Sequence, residues 1–556
     1  MSEDESSLPP ASLTSASAQR TTTLARLKHE EFDLIVVGGG ATGLGIALDA
    51  SLRGLSVAVL DSHDFAKGTS SRATKLVHGG VRYLAQGRVG LVRESLRERT
   101  ALLRNAPGLV KPLPFVMPAY RSWEIPFYGA GLAIYDLLAG HDGLGHTRVL
   151  SRGQVRQRLP GVRADGLKGG VQYWDAQFDD ARLAIVLARA AAARGAAMAN
   201  YCSVRDLVYC HGKISGVLTR DAETGDEFTV RALCVVNAAG VWVDTLRRID
   251  AKSLNLPESR LIRASRGTHL VVDRRFFPSE HALLVPRTSD GRVLFVVPWL
   301  GKVLLGTTDV ETASLDPEPR PDMAEIRYIL DEVKGYLRTP PQLRDVRSAW
   351  AGLRPLVNPS AMQGHKASSS ATRDVSREHF VEVSRSGLVS VAGGKWTTYR
   401  AMAQDVVDIC VRRGLLRTNQ TSRTLDFPIE AALSPKGPVP AQAVVSPPPQ
   451  GHKLSSTTTD CRFDDDMWLT TDERKLLVEA GLSATNIIFA ADFEFARTVE
   501  DILARRSRVL FLDAALAIRT APLVARILQT ATLASPRLSE FLELADQYVI
   551  DGASGA

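Results

Sequence analysis

The chain has 556 residues, 45% of them hydrophobic, with 68 Lys and Arg against 61 Asp and Glu and a formal charge of +7. That length exceeds one simple core and implies two or three domains, and the composition is that of a folded chain rather than a disordered or fibrous one. The basic excess is spread out with no run of like charges, which argues against a nucleic-acid-binding arm and points to an anionic substrate or an anionic lipid surface.

Five cysteines (Cys202, Cys210, Cys234, Cys410, Cys461) occur without a C-x-x-C pair or zinc spacing, as expected of buried thiols in a reducing compartment. No apolar run is long enough to span a bilayer. The opening SEDESS and the Ser/Thr/Ala-rich stretch after it have no signal-peptide core, and residues 1–30 read as a disordered tail.

Folding begins at Phe32. FDLIVVGGG reads as a buried parallel strand ending in glycines, ATGLGIALDASLRG as a helix stopped at Arg53-Gly54, and LSVAVLD as a second buried strand. This βαβ unit carries Gly38-Gly39-Gly40-Ala41-Thr42-Gly43, a dinucleotide fingerprint in its proper context. The glycines permit a tight turn, the helix N-terminus receives a pyrophosphate, and Asp61 at the end of the second strand is placed to bond a ribose. Cofactor contacts are expected from Gly38, Gly40, Ala41, Thr42, Gly43 and Asp61.

The next stretch, KLVHGGVRYL, sets Lys75, His78, Arg82 and Tyr83 around Gly79 and Gly80. These are anion-binding and proton-handling groups on a backbone that a ligand can approach closely. GRVGLVRESLRERTALLRNA (Gly87–Ala106) reads as a basic helix with an apolar stripe, followed by a segment with Trp123, Phe127, Tyr128 and Tyr135; the pair is a candidate for lipid contact. A helix covers Asp179–Ala196. Asn237-Ala238-Ala239-Gly240 then follows an apolar strand as a second glycine turn.

Short β-branched runs between Arg266 and Asp309 read as an antiparallel sheet. At Gly393-Gly394-Lys395 another helix opens, its N-terminal dipole suited to a reduced flavin ring. Ala239, Gly240, Gly393, Gly394 and Lys395 return to the cofactor from distant segments, which favours a long flavin over a nicotinamide.

The fold class is therefore α/β, a Rossmann-type FAD-binding domain interleaved with an antiparallel-sheet substrate domain, plus a C-terminal helical domain. The FAD-binding pieces are placed at about 31–110, 170–255 and 350–415, and the substrate pieces at about 111–169 and 256–349. A Pro/Ser-rich linker covers 416–459, and a separate helical domain 460–550.

DFAKGTSSRATKLVHGGVRYL, GTTDVE, AGLRPLV, ATRD and GGKWTTYR, in this order from Phe32 to Cys410, resemble the FAD-dependent glycerol-3-phosphate dehydrogenases. The resemblance implies oxidation of sn-glycerol 3-phosphate to dihydroxyacetone phosphate by hydride transfer to FAD, with electrons passed to a membrane quinone. It implies Arg82, Tyr83, Thr308, Arg354, Arg373 and Lys395 at the substrate, arginine supplying bidentate forks to the phosphate. Thr69, Ser70, Ser71, Lys75, His78, Gly79 and Gly80 join the cofactor set, and His269, Arg354 and Lys395 the catalytic set. His269 is the first candidate base and His78 the second. No metal site is expected, and no calcium loop.

The chain departs from the family at Asp61, where Glu is usual, and in a shorter C-terminal helical region. Peripheral attachment to the cytoplasmic membrane, or to the mitochondrial inner membrane, is implied, with room for a homodimer and no nucleic-acid partner. The rival readings are an oxidase using O2 and an amine- or amino-acid-oxidising flavoprotein.

Overall fold

Leu34, Ile35 and Val36 in β1 (Glu31–Val37) are fully buried, so this strand takes a central place in a sheet. The computed structural model describes residues 15–84, 87–358, 379–430, 469–532 and 534–550. β1 is preceded by α1 (Ser15–His29) and followed by α2 (Ala41–Leu52) and β2 (Val57–Leu60). It pairs in parallel with β2 on one side and with Glu227–Asn237 on the other. The order across this sheet is His379–Val383, Val389–Gly393, Glu227–Asn237, β1, β2, Ala197–Ala199, with an antiparallel extension through Lys213–Asp221 and Cys202–Cys210. The carboxyl ends of β1, β2 and Glu227–Asn237 thus come together at one edge, where such sheets bind ligands.

The second sheet has ten strands and is antiparallel except where Ala282–Val285 runs parallel to Val110–Ala119. Its longest pairing joins Ile262–Asp273 to Val346–Val357 and sets His269 opposite Trp350 and Ser265 opposite Arg354. Gly169–Phe178 and Leu76–Val77 also belong to this sheet. The boundaries drawn at 170 and 350 therefore fall too early, since the strands crossing them complete the substrate sheet. Hydrophobic runs alone do not reveal which sheet a strand joins.

One further expectation is corrected. The segment 15–29 is a helix, not a disordered tail: buried Leu27 packs on the first sheet, and Arg20 pairs with Asp221. The C-terminal helices Thr471–Glu479, Ala484–Phe493, Ala514–Ala531 and Leu538–Asp546 form the expected helical region. They share one core with Phe115, Tyr173 and Trp350 of the substrate sheet.

The basic helix Val89–Asn105 turns its apolar stripe inward; Leu91, Val92 and Leu96 are buried, and Arg99 and Glu98 are bonded to Asp175 and Arg400. The following helix, Glu124–Ala139, is the one that presents apolar side chains outward. Among the described residues no single helix is long and apolar enough to cross a membrane.

Candidate active site

At the carboxyl edge of the parallel sheet, Gly38 has φ 106°, and a Cβ there would lie 2.6 Å from the Ala238 carbonyl. A Cβ on Gly43 would lie 1.9 Å from the Gly38 carbonyl, so the turn closes only with glycine at both places. The Gly39 N–H donates to Asp61 Oδ2 at 2.6 Å, and the Ala41 N–H, in the first turn of α2, donates to Ser70 Oγ at 2.9 Å. Burial pushes the Asp61 carboxyl up to about 6, the environment of an acceptor shielded from water. Gly40, Ala41 and Thr42 open α2, and Ala239-Gly240 closes the cradle from the neighbouring strand, Gly240 at φ 59°.

The loop after Asp61 ties the cradle to both remaining parts of the site. Thr69 Oγ1 donates to the Leu353 carbonyl at 2.6 Å, and Trp396 Nε1 donates to the Ser70 carbonyl at 2.8 Å. Residues next to Arg354 and Lys395 are thereby fixed to one short loop, with Ser71 buried behind it. The Lys75 side chain, expected at the cofactor, is turned to Asp180. Its Nζ, fully buried, donates to Asp180 at 2.7 and 2.8 Å and to the Ser71 carbonyl at 2.8 Å. Burial, then the Arg508 charge, lowers this ammonium to about 7.

The His78-Gly79-Gly80 turn is held from behind. Gly79 N–H donates to the Tyr135 hydroxyl at 2.8 Å, which donates in turn to Asp175, and Arg99 pairs with the same carboxylate at 2.8 Å. The backbone of His78 meets Thr397 Oγ1 at 3.3 Å. Gly80 stands at φ 79°, against the Tyr83 ring, and Lys395 Nζ sits 4.0 Å from the centroid of that ring. The structure thus brings Gly80, Tyr83 and Lys395 together, with Gly393 and Gly394 in left-handed conformation just before the lysine. Arg82 lies on the same short helix as Tyr83, Val81–Leu84. Arg373 lies outside the described residues.

His269 is buried, its ring stacked on Trp350 at 4.3 Å and its Nε2 3.0 Å from Thr74 Oγ1. Burial, then the charges of Arg354 and Lys75, hold its pKa well below the ordinary histidine value, so the imidazole is neutral. Arg354 fills space that only Gly267 leaves open, since a Cβ there would lie 2.3 Å from the guanidinium. It donates to Thr307 Oγ1 and to the Thr308 carbonyl, each at 2.9 Å.

The Thr308 hydroxyl donates to Glu325 at 2.5 Å and accepts from the Thr268 N–H at 2.9 Å, so Thr307, not Thr308, offers its side chain beside Arg354. Sequence reasoning missed Thr307, Trp350, Asp175 and Asp180. The two threonines are adjacent in GTTD, and only the pairing with Glu325 tells them apart.

Residues 33–400 match the FAD dependent oxidoreductase family, and residues 463–536 match the C-terminal domain of alpha-glycerophosphate oxidase. Mitochondrial glycerol-3-phosphate dehydrogenase of Macaca fascicularis is 38% identical over 522 residues, covering 90% of this chain and 70% of that one. The Saccharomyces cerevisiae protein of the same description is 35% identical over 550 residues, covering 88% and 84%. The chain belongs to the FAD-dependent glycerol-3-phosphate dehydrogenases. A glycerol-3-phosphate dehydrogenase from Bacillus halodurans solved with FAD superposes with a TM-score of 0.70 at 28% identity, covering 97% of this chain and 98% of that one.

The residues of this dehydrogenase fit FAD. The turn between Gly38 and Gly43 closes too tightly for a side chain at either glycine, the N-terminus of α2 starts from it, and the half-buried Asp61 carboxylate stands beside it. The same turn, with glycine-lined approaches at 79–80, 239–240 and 393–394, is the placement a long cofactor requires.

Proposed function

We propose that this dehydrogenase oxidises C2 of sn-glycerol 3-phosphate, with His269 as the base and Arg354 and Lys395 as the charges that hold the phosphate. The observation that carries the reading is the placement of a buried His269, facing Thr74, and of Arg354, bonded to Thr307, on two paired strands of the substrate sheet. A base must be unprotonated to act, and burial first, with the Arg354 charge after it, favours the neutral imidazole. When bound, FAD supplies the hydride acceptor. The chain supplies the rest: Arg354 and Lys395, with Arg82 and Arg373 as further cations, orient the substrate; Thr307 steadies Arg354; and His269 takes the C2 hydroxyl proton as the C=O bond forms. Tyr83 supports Lys395 through its ring.

The acceptor in this reading is a membrane quinone, reached by peripheral attachment to a bacterial inner membrane or a mitochondrial inner membrane. The helix Glu124–Ala139 and its surroundings support the attachment. Trp123, Phe127, Ile134, Leu137 and Val149 are exposed, Leu137 by 79%, and exposed Arg121, Arg148, Arg152 and Lys168 lie close to them in sequence. Two nearby acids accept from backbone donors, Glu124 from the Tyr120 N–H and Asp136 from the Thr147 N–H, while Asp165 is exposed. An apolar patch with exposed cations suits an anionic bilayer. The match of residues 463–536 to the alpha-glycerophosphate oxidase C-terminal domain favours one second reading, reoxidation by O2.

Anaerobic mixing of the yellow protein with glycerol 3-phosphate, with glycerol and glycine as controls, tests the substrate. Bleaching with glycerol 3-phosphate alone is expected; bleaching with glycine, or with none, overturns the reading. Reoxidation of the bleached protein by a soluble quinone far faster than by air supports the dehydrogenase, and the reverse supports the oxidase.

A further inference from the structure

The indole of Trp350 is 1% exposed, and among the described residues its Nε1 makes no hydrogen bond. A buried N–H without a partner costs about 1–3 kcal/mol, so this side chain is held for its ring rather than for its donor. One neighbour of the ring is His269, the cross-strand partner in register, nearly parallel at 4.3 Å with 20° between planes. Another is Phe511, edge-on at 5.0 Å, from the C-terminal helix Val509–Leu512.

A second connection runs beside the first. Arg508, at φ 68°, donates to the Ser71 carbonyl at 2.8 Å and to Asp180 at 3.2 Å; Asp180 in turn holds Lys75, at φ 64°, and accepts from the Ala73 N–H at 2.9 Å. Between Ala73 and Lys75 stands Thr74, whose hydroxyl meets His269 Nε2. Two non-glycine residues held in left-handed conformation mark a loop that its surroundings over-determine. Both sides of the imidazole, ring face and Nε2, are thus fixed by groups that the C-terminal segment braces.

We propose that Trp350 is the positioning residue of His269, and that Phe511 makes this positioning depend on the C-terminal segment. The inference rests on the reading of His269 as the base. Trp350 touches no reacting atom; it sets the plane of the ring that does and keeps water from it. The charged groups around His269 are Lys75 from the loop and Arg354 from Val346–Val357, paired respectively with Asp180 and Asp309; Arg508 lies beyond Asp180, and the facing strand presents Gly306.

Stopped-flow flavin reduction across pH, on the FAD-loaded W350F, W350L, F511L and H269N proteins, decides the matter. In the wild type the acid limb lies below about 6.5, because the imidazole protonates only well under its ordinary value. W350L, which removes the stacking face and admits water, should slow reduction about tenfold and move the limb up towards that value. F511L should do the same to a smaller degree, and W350F, which keeps an aromatic face, should restore the wild-type limb.

A purely structural role for Trp350 would lower melting temperature or FAD content and leave the limb in place, and that result in W350L overturns the proposal. If W350L does not fold, an unmoved limb in F511L does so. A crippled H269N beside an unmoved W350L sinks the positioning role alone. H269N reducing flavin at the wild-type rate sinks the base assignment and the positioning role with it.

Discussion

The hydroxyl of Thr69 donates to the carbonyl of Leu353, 284 residues further along the chain, at 2.6 Å. Through this bond, and that of Arg72 to the Ala351 carbonyl at 3.2 Å, the loop that follows the cofactor strand is tied to the strand that carries Arg354. Thr69→Val leaves the Leu353 carbonyl without its donor and should cost about 1–3 kcal/mol. A lower melting temperature of the FAD-loaded protein and faster flavin release, followed by fluorescence, are the expected results, with Thr69→Ser close to wild type. Unchanged flavin release in Thr69→Val would show that the loop is fixed by other contacts.

Thr307 and Thr308 should separate cleanly. Thr307→Val removes a partner of Arg354 but leaves the Thr308 carbonyl bond, so KM for glycerol 3-phosphate rises several-fold while melting temperature hardly moves. Thr308→Val strips Glu325 of a buried donor and the Thr268 N–H of its acceptor, so stability falls by about 1–3 kcal/mol and KM stays near wild type. Steady-state kinetics and thermal unfolding on the pair check both; the opposite pattern would return Thr308 to the substrate.

Asp64 is fully buried and pairs with both Arg505 and Arg506 of the π-helical turn Asp501–Arg506. Burial alone would push its carboxyl up; Arg506 and Arg505 nonetheless hold it below the usual carboxylate range. Its stabilising contribution is therefore complete above the unfolded value of about 3.9 and is lost as pH falls through the lower folded value. Asp64→Asn leaves two guanidinium groups without that charge and should cost about 3–5 kcal/mol near neutral pH. Urea midpoints measured from pH 7 down to pH 3 should fall more steeply in the wild type than in the variant, and parallel curves would rule out this origin.

The exposed face of Glu124–Ala139 predicts binding to vesicles rich in anionic lipid. Phe127→Ser with Leu137→Ser removes two exposed apolar side chains, each contributing up to about 1.5–3 kcal/mol when buried. Co-sedimentation should drop sharply, with activity towards a water-soluble acceptor unchanged. Equal sedimentation of variant and wild type would move the lipid contact elsewhere.

The glycine turn, Asp61 and the antiparallel sheet were legible because each rests on local pattern: glycines after an apolar strand, an acid at the end of the next one, β-branched runs between turns. What was not legible depended on partners far away in the chain. Lys75 sits in the motif of a cofactor loop, but its charge is spent on Asp180, 105 residues on. The apolar stripe of Val89–Asn105 has the same period whether it meets lipid or a core; Leu91 and Leu96 meet the core. Helix α1 is too polar to announce itself, yet a few buried contacts and Arg20 anchor it.

The parallel sheet draws its strands from three stretches of the chain, and β1 keeps Glu227–Asn237 as one neighbour, with Val389–Gly393 beyond it. During synthesis this strand therefore waits, with one edge open, for a partner two hundred residues behind it. A nascent chain halted before Gly393 has the phosphate turn but lacks the glycine pair, Lys395, and Trp396, whose indole bonds the Ser70 carbonyl. Flavin capture is thus a late event, and shortened products of this gene should accumulate as colourless, chaperone-bound or aggregated chains rather than as partly active enzyme.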